Sequence, residues 1–212
     1  MELCRPPLPG SYLLKLIPDP ETMWYRNILW ISLLFLSPAE KSKWVVNENS
    51  SLTVNGTTNI NKFSCEIPSY DQTDTLTLVR TGKDIVLSGK IGLAIQSFDC
   101  HNSMMTKDLR KTLKEKQFPR LYISFLSLSG FPELTAKPQS ITGLVSIELA
   151  GTSKRFEINY QVSTDTQKIV HLLGSQDIKF SDFNLIPPRK IGGMIKTNDQ
   201  LSVEFHLKMK TI

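Results

Sequence analysis

From Trp44 to the C-terminus, the apolar residues of this 212-residue chain recur with a period of two. Ile85, Leu87, Ile91, Leu93 and Ile95 share one face of a run whose other face carries Ser88, Lys90 and Gln96. Ile141, Val145, Ile147 and Leu149 alternate with Thr142, Ser146 and Glu148. Phe156, Ile158, Tyr160 and Val162 alternate with Arg155, Glu157, Asn159 and Gln161; Leu201, Val203, Phe205, Leu207 and Met209 alternate with Ser202, Glu204, His206 and Lys208. Side chains of a strand point to opposite faces in turn, so the pattern describes antiparallel strands with one dry and one wet face. Several runs approach roughly ten residues, about 33 Å of extended chain. Strands of that length present unpaired edges to other chains unless the sheet closes, which points to a closed or nearly closed barrel.

Turn signals fit this arrangement. Ala150-Gly151-Thr152-Ser153-Lys154 reads as a tight hairpin, and the stretch from Arg80 to Asp84 as another. Gly130-Phe131-Pro132 and Ala136-Lys137-Pro138 bound a loop, while Gly89 and Gly92 inside an alternating run suggest a bulge or a bend. One segment breaks the pattern. Thr106 to Lys116 is predicted as a short helix, with Thr106 as cap, Asp108 in the first turn and cations crowding the last. Leu109 and Leu113, four apart, would face the body, and Phe118-Pro119 ends the segment. No repeat or linker interrupts residues 40–212, which are expected to form one domain. A barrel of about eight strands has an interior that side chains fill or that holds one slender ligand, and periodicity does not choose between the two.

The first 39 residues read as a leader. Ile28 to Leu36 is an apolar run broken only by Ser32, preceded by Arg26 and followed by Ser37-Pro38-Ala39. A basic flank, a short apolar core and small residues at −3 and −1 are the parts of a secretory signal peptide, with cleavage expected after Ala39. The run is shorter than the roughly 20 residues a membrane-spanning helix needs, although an uncleaved anchor is the alternative. Five prolines with Asp19 and Glu21 in residues 1–22 are foreign to such a leader, so translation is expected to begin at Met23. Export implies a periplasmic or secreted protein. It also leaves Cys65 and Cys100 as an even pair in an oxidising compartment, either disulfide-bonded or, for Cys65, a small buried hydrophobe.

The chemistry of a catalytic or nucleic-acid-binding chain is missing. A net charge of +5 is mild and does not imply nucleic acid. The sequence has no Gly-x-Ser-x-Gly elbow and no phosphate loop. His101, His171 and His206 lack close metal-ligand spacing, and Cys100-His101 is a lone adjacent pair. No metal, cofactor or enzymatic activity is expected.

Three blocks carry a resemblance: Ser51 to Cys65 (SLTVNGTTNINKFSC), Ser97 to Arg110 (SFDCHNSMMTKDLR) with the following Leu113, Phe118-Pro119, Ile123 and Phe125, and Phe180 to Ile195 (FSDFNLIPPRKIGGMI) before the last strand. In this order they resemble the YceI-like lipid/polyisoprenoid-binding family, especially its Bacteroidetes-type variants, over roughly Trp44 to Ile212. The resemblance implies a lipocalin-like antiparallel barrel with a lid helix, exported, closing on an isoprenoid, quinone or other long-chain lipid. The chain departs from many members after the helix, where a doubled Phe before Tyr-Pro is contracted to Lys116-Gln117-Phe118-Pro119.

On that resemblance the apolar ligand wall is expected from Phe63, Ile91, Leu93, Phe98, Leu113, Phe125, Ile147, Ile158, Phe183 and Phe205, with Asn102, Lys107, Asp108, Arg110 and Asp182 at a polar mouth. An isoprenoid tail offers no hydrogen bonds, so binding would rest on apolar area. The bland reading of the wall is a packed core whose side chains touch only each other. Lys107, Arg110, Lys111, Lys114, Lys116 and Arg120 form a basic cluster that would hold an anionic head, lean transiently on an anionic membrane, or simply be a solvated helix face. Asp182-Phe183-Asn184 with Arg189 would either rim the mouth or fix a local turn.

Overall fold

The computed structural model describes residues 41–82 and 84–212; the expected leader, which holds the third cysteine, Cys4, its cleavage after Ala39 and the start at Met23 lie outside the described residues. The described chain forms eleven strands: β1 (Lys41–Val46), β2 (Ser51–Thr58), β3 (Lys62–Ile67), β4 (Thr75–Thr81), β5 (Asp84–Ala94), β6 (Arg120–Leu128), β7 (Gln139–Leu149), β8 (Thr152–Thr164), β9 (Ile169–Lys179), β10 (Arg189–Lys190) and β11 (Ile195–Thr211). A helix, α1 (Ser103–Thr112), follows β5. Every strand pairing is antiparallel, and eight strands close a ring in the order β1-β4-β5-β6-β7-β8-β9-β11 and back to β1. The mainly-β barrel with one helix read from the alternation is the observed fold.

Closure depends on β11, which at 17 residues is the longest strand. One side pairs with β9 from Gln200 to Lys210. The other side pairs first with β2, from Thr197 to His206, and then with β1, from Met209 to Thr211. Between Val46 and Ser51 the chain turns on itself through the Ser50 N–H to Asn47 carbonyl bond, and Lys208 anchors the turn by donating to Ser50 Oγ at 2.9 Å. From this turn β1 continues toward β4 and β2 toward β3.

The two ends of the barrel therefore have different walls. The end that includes β1 and β4 is packed solid. Trp44, Leu76, Leu78, Leu87, Val145, Val162, Val170, Leu172 and Met209 are at most 1% exposed there. At the other end β4 gives way, because β5 pairs with β4 only through Ser88 and with β6 from Gly89 onward. Gly89 makes this hand-over with φ +151°, and an added Cβ would stand 2.8 Å from the Thr75 carbonyl oxygen. The opening beyond β3 is closed by the segment after β5. Glu66 and Asp99 exchange backbone hydrogen bonds of 2.7 and 2.8 Å, and a disulfide joins Cys65 to Cys100 beside them.

The helix corrects the sequence reading in register. It starts at Ser103 rather than Thr106, because the Asn102 side chain accepts from the Met105 N–H at 3.0 Å and is the cap. Thr106 is instead buried within the helix, its Oγ1 accepting from Cys100 N at 3.0 Å. The helix is finished before Lys116, with Lys114 in the left-handed region at φ 56°. Leu109 and Leu113 face the body as expected.

Gly89→Ala forces a left-handed-region Cβ onto backbone and is expected to cost about 1–3 kcal/mol, read as a lower urea midpoint. Replacing Cys65 and Cys100 together by alanine opens a covalent loop with a sequence separation of 35. It is expected to lower stability by about 3–4 kcal/mol in equilibrium denaturation under oxidising conditions.

Candidate functional site: an apolar cavity in one half of the barrel

The half of the barrel under α1 is hollow. Its cavity volume is ≈ 90 Å³, well beyond the about 10–15 Å³ that one water needs on this measure. The wall comes from inward positions of seven strands: Leu52 and Val54 on β2, Ile67 on β3, Ile91 and Leu93 on β5, Leu121, Ile123 and Phe125 on β6, Ile147 and Leu149 on β7, Ile158 and Tyr160 on β8, and Leu201, Val203, Phe205 and Leu207 on β11. Gln176 and Ile178 of β9 complete it, and Phe98, Leu109 and Leu113 cover it from the lid side. The floor follows from strand periodicity. Further along these strands the inward residues Val145, Val162, Leu172 and Met209 already belong to the packed half.

Eight of the expected wall residues meet here: Ile91, Leu93, Phe98, Leu113, Phe125, Ile147, Ile158 and Phe205. Two do not. Phe63 leans across Gly56, where an added Cβ would stand 2.3 Å from its Cζ, and it lines a separate recess with Met105, Leu109, Phe180 and Ile195. Phe183 is fully buried outside the cavity, its ring 6.2 Å from that of Phe156.

The expected polar mouth is dispersed, and none of its residues lines the cavity. Asn102 is the helix cap. Lys107 is exposed on the outer face of α1. Asp108 is ion-paired with Lys190 at 2.6 Å, and Arg110 donates to the Phe98 carbonyl at 2.9 Å, so both fasten the helix. Asp182 accepts from the Lys179 N–H at 3.0 Å and from Lys154 Nζ at 2.5 Å. Its burial would raise its pKa, but the Lys154 ammonium and the Lys179 N–H outweigh that and hold it below the ordinary carboxylate value. Its role is the fixing of a local turn.

The polar side chains that do line the cavity are Ser50, Ser51, Tyr70, Tyr160 and Gln176. Ser50 is engaged with Lys208, Tyr70 Oη donates to Asp74, and Gln176 Nε2 donates to the Asp177 carbonyl at 2.9 Å. Tyr160 differs. Its side chain is 1% exposed, yet Oη has no hydrogen-bond partner among the described residues. Its ring meets Phe205 edge to face at 5.7 Å, over Gly174, which stands between them in the sheet. Burial pushes the phenol above its ordinary pKa, so it stays a neutral donor. Tyr160 was legible as an inward strand residue, but periodicity does not show that a hydroxyl lacks a partner.

The wet face brings together a pair that linear spacing hid. His171 on β9 and His206 on β11 lie side by side, with Nδ1 of one 2.8 Å from Nε2 of the other, and His171 Nε2 lies 3.2 Å from Asp165. Among the described residues no group of three metal-ligating side chains forms. Burial, then the neighbouring His171 and Lys208, lowers the His206 pKa below its ordinary value. A depressed histidine pKa makes the unfolded chain bind more protons. The contribution is therefore present above the unfolded value of about 6.5 and lost as pH falls through the folded one. The urea midpoint is expected to drop on acidification across this window, and less steeply in His206→Gln.

No protein-family model matches this chain, and no curated protein does. Solved structures share its fold. A polyisoprenoid-binding domain from Saccharophagus degradans, implicated in plant cell wall breakdown, aligns with TM-score 0.59 at 8% identity, over 82% of this chain and 100% of its own. BcnA of Burkholderia cenocepacia aligns with TM-score 0.57 at 13% identity, over 75% and 95%. A YceI protein of Campylobacter jejuni aligns less closely, at TM-score 0.46 and 14% identity, over 57% and 70%. This chain therefore shares its barrel fold with BcnA and with the polyisoprenoid-binding domain, the fold that the resemblance of its sequence blocks implied.

Proposed function

We propose that this protein is an exported, non-enzymatic YceI-like carrier that holds a slender apolar molecule, such as a polyisoprenoid, a quinone or another lipid, in the hollow half of its barrel. The observation that carries the reading is the cavity itself. It is a space walled by aliphatic and aromatic side chains and bounded by a packed floor and a helical lid. Transfer of an apolar chain from water to such a wall gains about 25 cal/mol per Å² buried, without any directional contact. The resemblance to a polyisoprenoid-binding domain supports the same ligand class.

Tyr160 narrows that class. A buried donor with no partner is costly, and a ligand oxygen at the cavity floor removes the cost. A charged head does not fit there, since an unpaired ion in an apolar interior is far more costly still. The ligand is an apolar chain whose buried part carries a neutral acceptor such as a carbonyl or an ether, and any anionic group stays outside the barrel.

The test is mass spectrometry of an organic extract from protein exported by a bacterial host and purified without detergent. A stoichiometric long-chain lipid is the expected result. A clean extract with no uptake of added quinone or prenol overturns the carrier reading in favour of a packed-barrel interaction protein of the envelope. Tyr160→Phe is expected to weaken binding of a carbonyl-bearing chain about tenfold, leave a plain hydrocarbon unaffected, and hold or raise the stability of the unliganded protein.

A further inference from the structure

The end of the barrel that carries the lid also carries two adjacent turns with apolar tips. The β2–β3 turn presents Ile60, 60% exposed. The β10–β11 turn presents Ile191 and Met194, 62% and 68% exposed, and Ile186 stands out at 79% in the loop before it. Asn59 locks the two turns into one surface. Its N–H donates to the Lys196 carbonyl at 3.0 Å, its Nδ2 donates to the Met194 carbonyl at 2.9 Å, and its Oδ1 accepts from the Lys196 N–H at 2.9 Å.

Single exposed apolar residues are ordinary, but these are backed by two further features. Ile191 holds φ +51°, a left-handed conformation that a β-branched side chain adopts only at a cost. Packing of the side chain does little to offset that cost, since Ile191 is exposed. The following Gly192 and Gly193, at φ +63° and +93°, extend the strained tip. The second feature is charge. Lys62, Arg189, Lys190 and Lys196 flank the tips, and neither 56–65 nor 186–197 contains an acid. Lys190 is engaged with Asp108 of the lid, whereas Lys62, Arg189 and Lys196 are exposed.

Apolar tips standing proud of a cationic collar match a bilayer with anionic headgroups, with apolar side chains entering the interface and cations meeting phosphates. We propose that the Ile60–Ile191–Met194 surface docks the protein on an anionic membrane. It places there the end of the barrel that bears α1 and the recess shared by Ile60, Met105, Leu109 and Lys190. Leu109 lines both that recess and the main cavity, so the docked face adjoins the lid over the ligand space. The surface is defined without reference to what the cavity holds.

The experiment is co-sedimentation of the purified protein with vesicles of phosphatidylcholine alone and of phosphatidylcholine mixed with phosphatidylglycerol, without added ligand. Wild type is expected to bind the mixed vesicles in a salt-sensitive manner. Ile191→Asn with Met194→Ser is expected to lower binding about tenfold. Asparagine suits the left-handed conformation, so thermal stability holds or rises in the same variant, which separates a lost anchor from a lost fold. Arg189→Gln with Lys196→Gln should remove the preference for phosphatidylglycerol. The proposal is overturned if wild type ignores both vesicles, or if the Ile191/Met194 variant binds as wild type does. It is equally overturned if wild type sediments as a dimer that the variant dissolves in the absence of lipid. None of these outcomes bears on lipid extraction from the cavity, so the carrier reading stands or falls separately.

Discussion

The structure depends on a single long strand shared by three longer neighbours, with the two-residue β10 as a fourth at its start. β11 pairs along one side with β9 and along the other with β2 and then β1, so two different strands take the same position at different heights. Backbone polar groups have to be paired when buried, and β11 satisfies this at both ends with different partners. The turn from Asn47 to Ser50 is the junction, and its anchorage on Lys208 ties the change of neighbour to a fixed height. The packed and hollow halves follow from this. Where β1 and β4 complete the ring, their bulky residues, Trp44 and Leu76 among them, fill the interior. Where β2 and β3 take over, the wall stands farther round and the helix has to cover what is left.

Much of this was legible. Alternation placed β5, β7, β8 and β11, Ala150-Gly151 and the stretch from Arg80 to Asp84 placed hairpins, and Leu109 with Leu113 placed the buried face of the helix. What was not legible has one physical origin: strand periodicity reports which face a side chain takes and not what stands opposite. Val145 and Ile147 are consecutive inward residues of the same strand with the same chemistry. One packs in the solid half and the other lines the cavity, because only the register of neighbouring strands separates them. The histidine pair was hidden for the same reason, since residues 35 apart meet only once β9 and β11 are in register. The helix start failed differently. Asn102 and Thr106 are both good capping residues, and the choice was made by the inward demand of the Cys100 N–H for Thr106.

The expected polar mouth shows how a charged cluster can serve architecture. Asp108, Arg110 and Asp182 each make a contact that fastens the lid or a turn. Along the cavity wall, the buried polar group without a partner is the Tyr160 hydroxyl, on the apolar face of a strand, where burial rather than charge marks it out. Beside an apolar cavity an unpaired donor is a stronger pointer than a cluster of ions, because ions at a surface are satisfied by water or by each other.

The seam between β3 and the segment after β5 gives the two halves different dependence on their surroundings. The packed half is closed wholly by strand pairing, which no reductant touches. The hollow half owes part of its wall to the Cys65–Cys100 bond. In a thiol-reducing environment the chain would keep a folded base beneath a wall held at that seam by hydrogen bonds alone. The enclosure of the cavity thus rests partly on a bond that persists only where disulfides do.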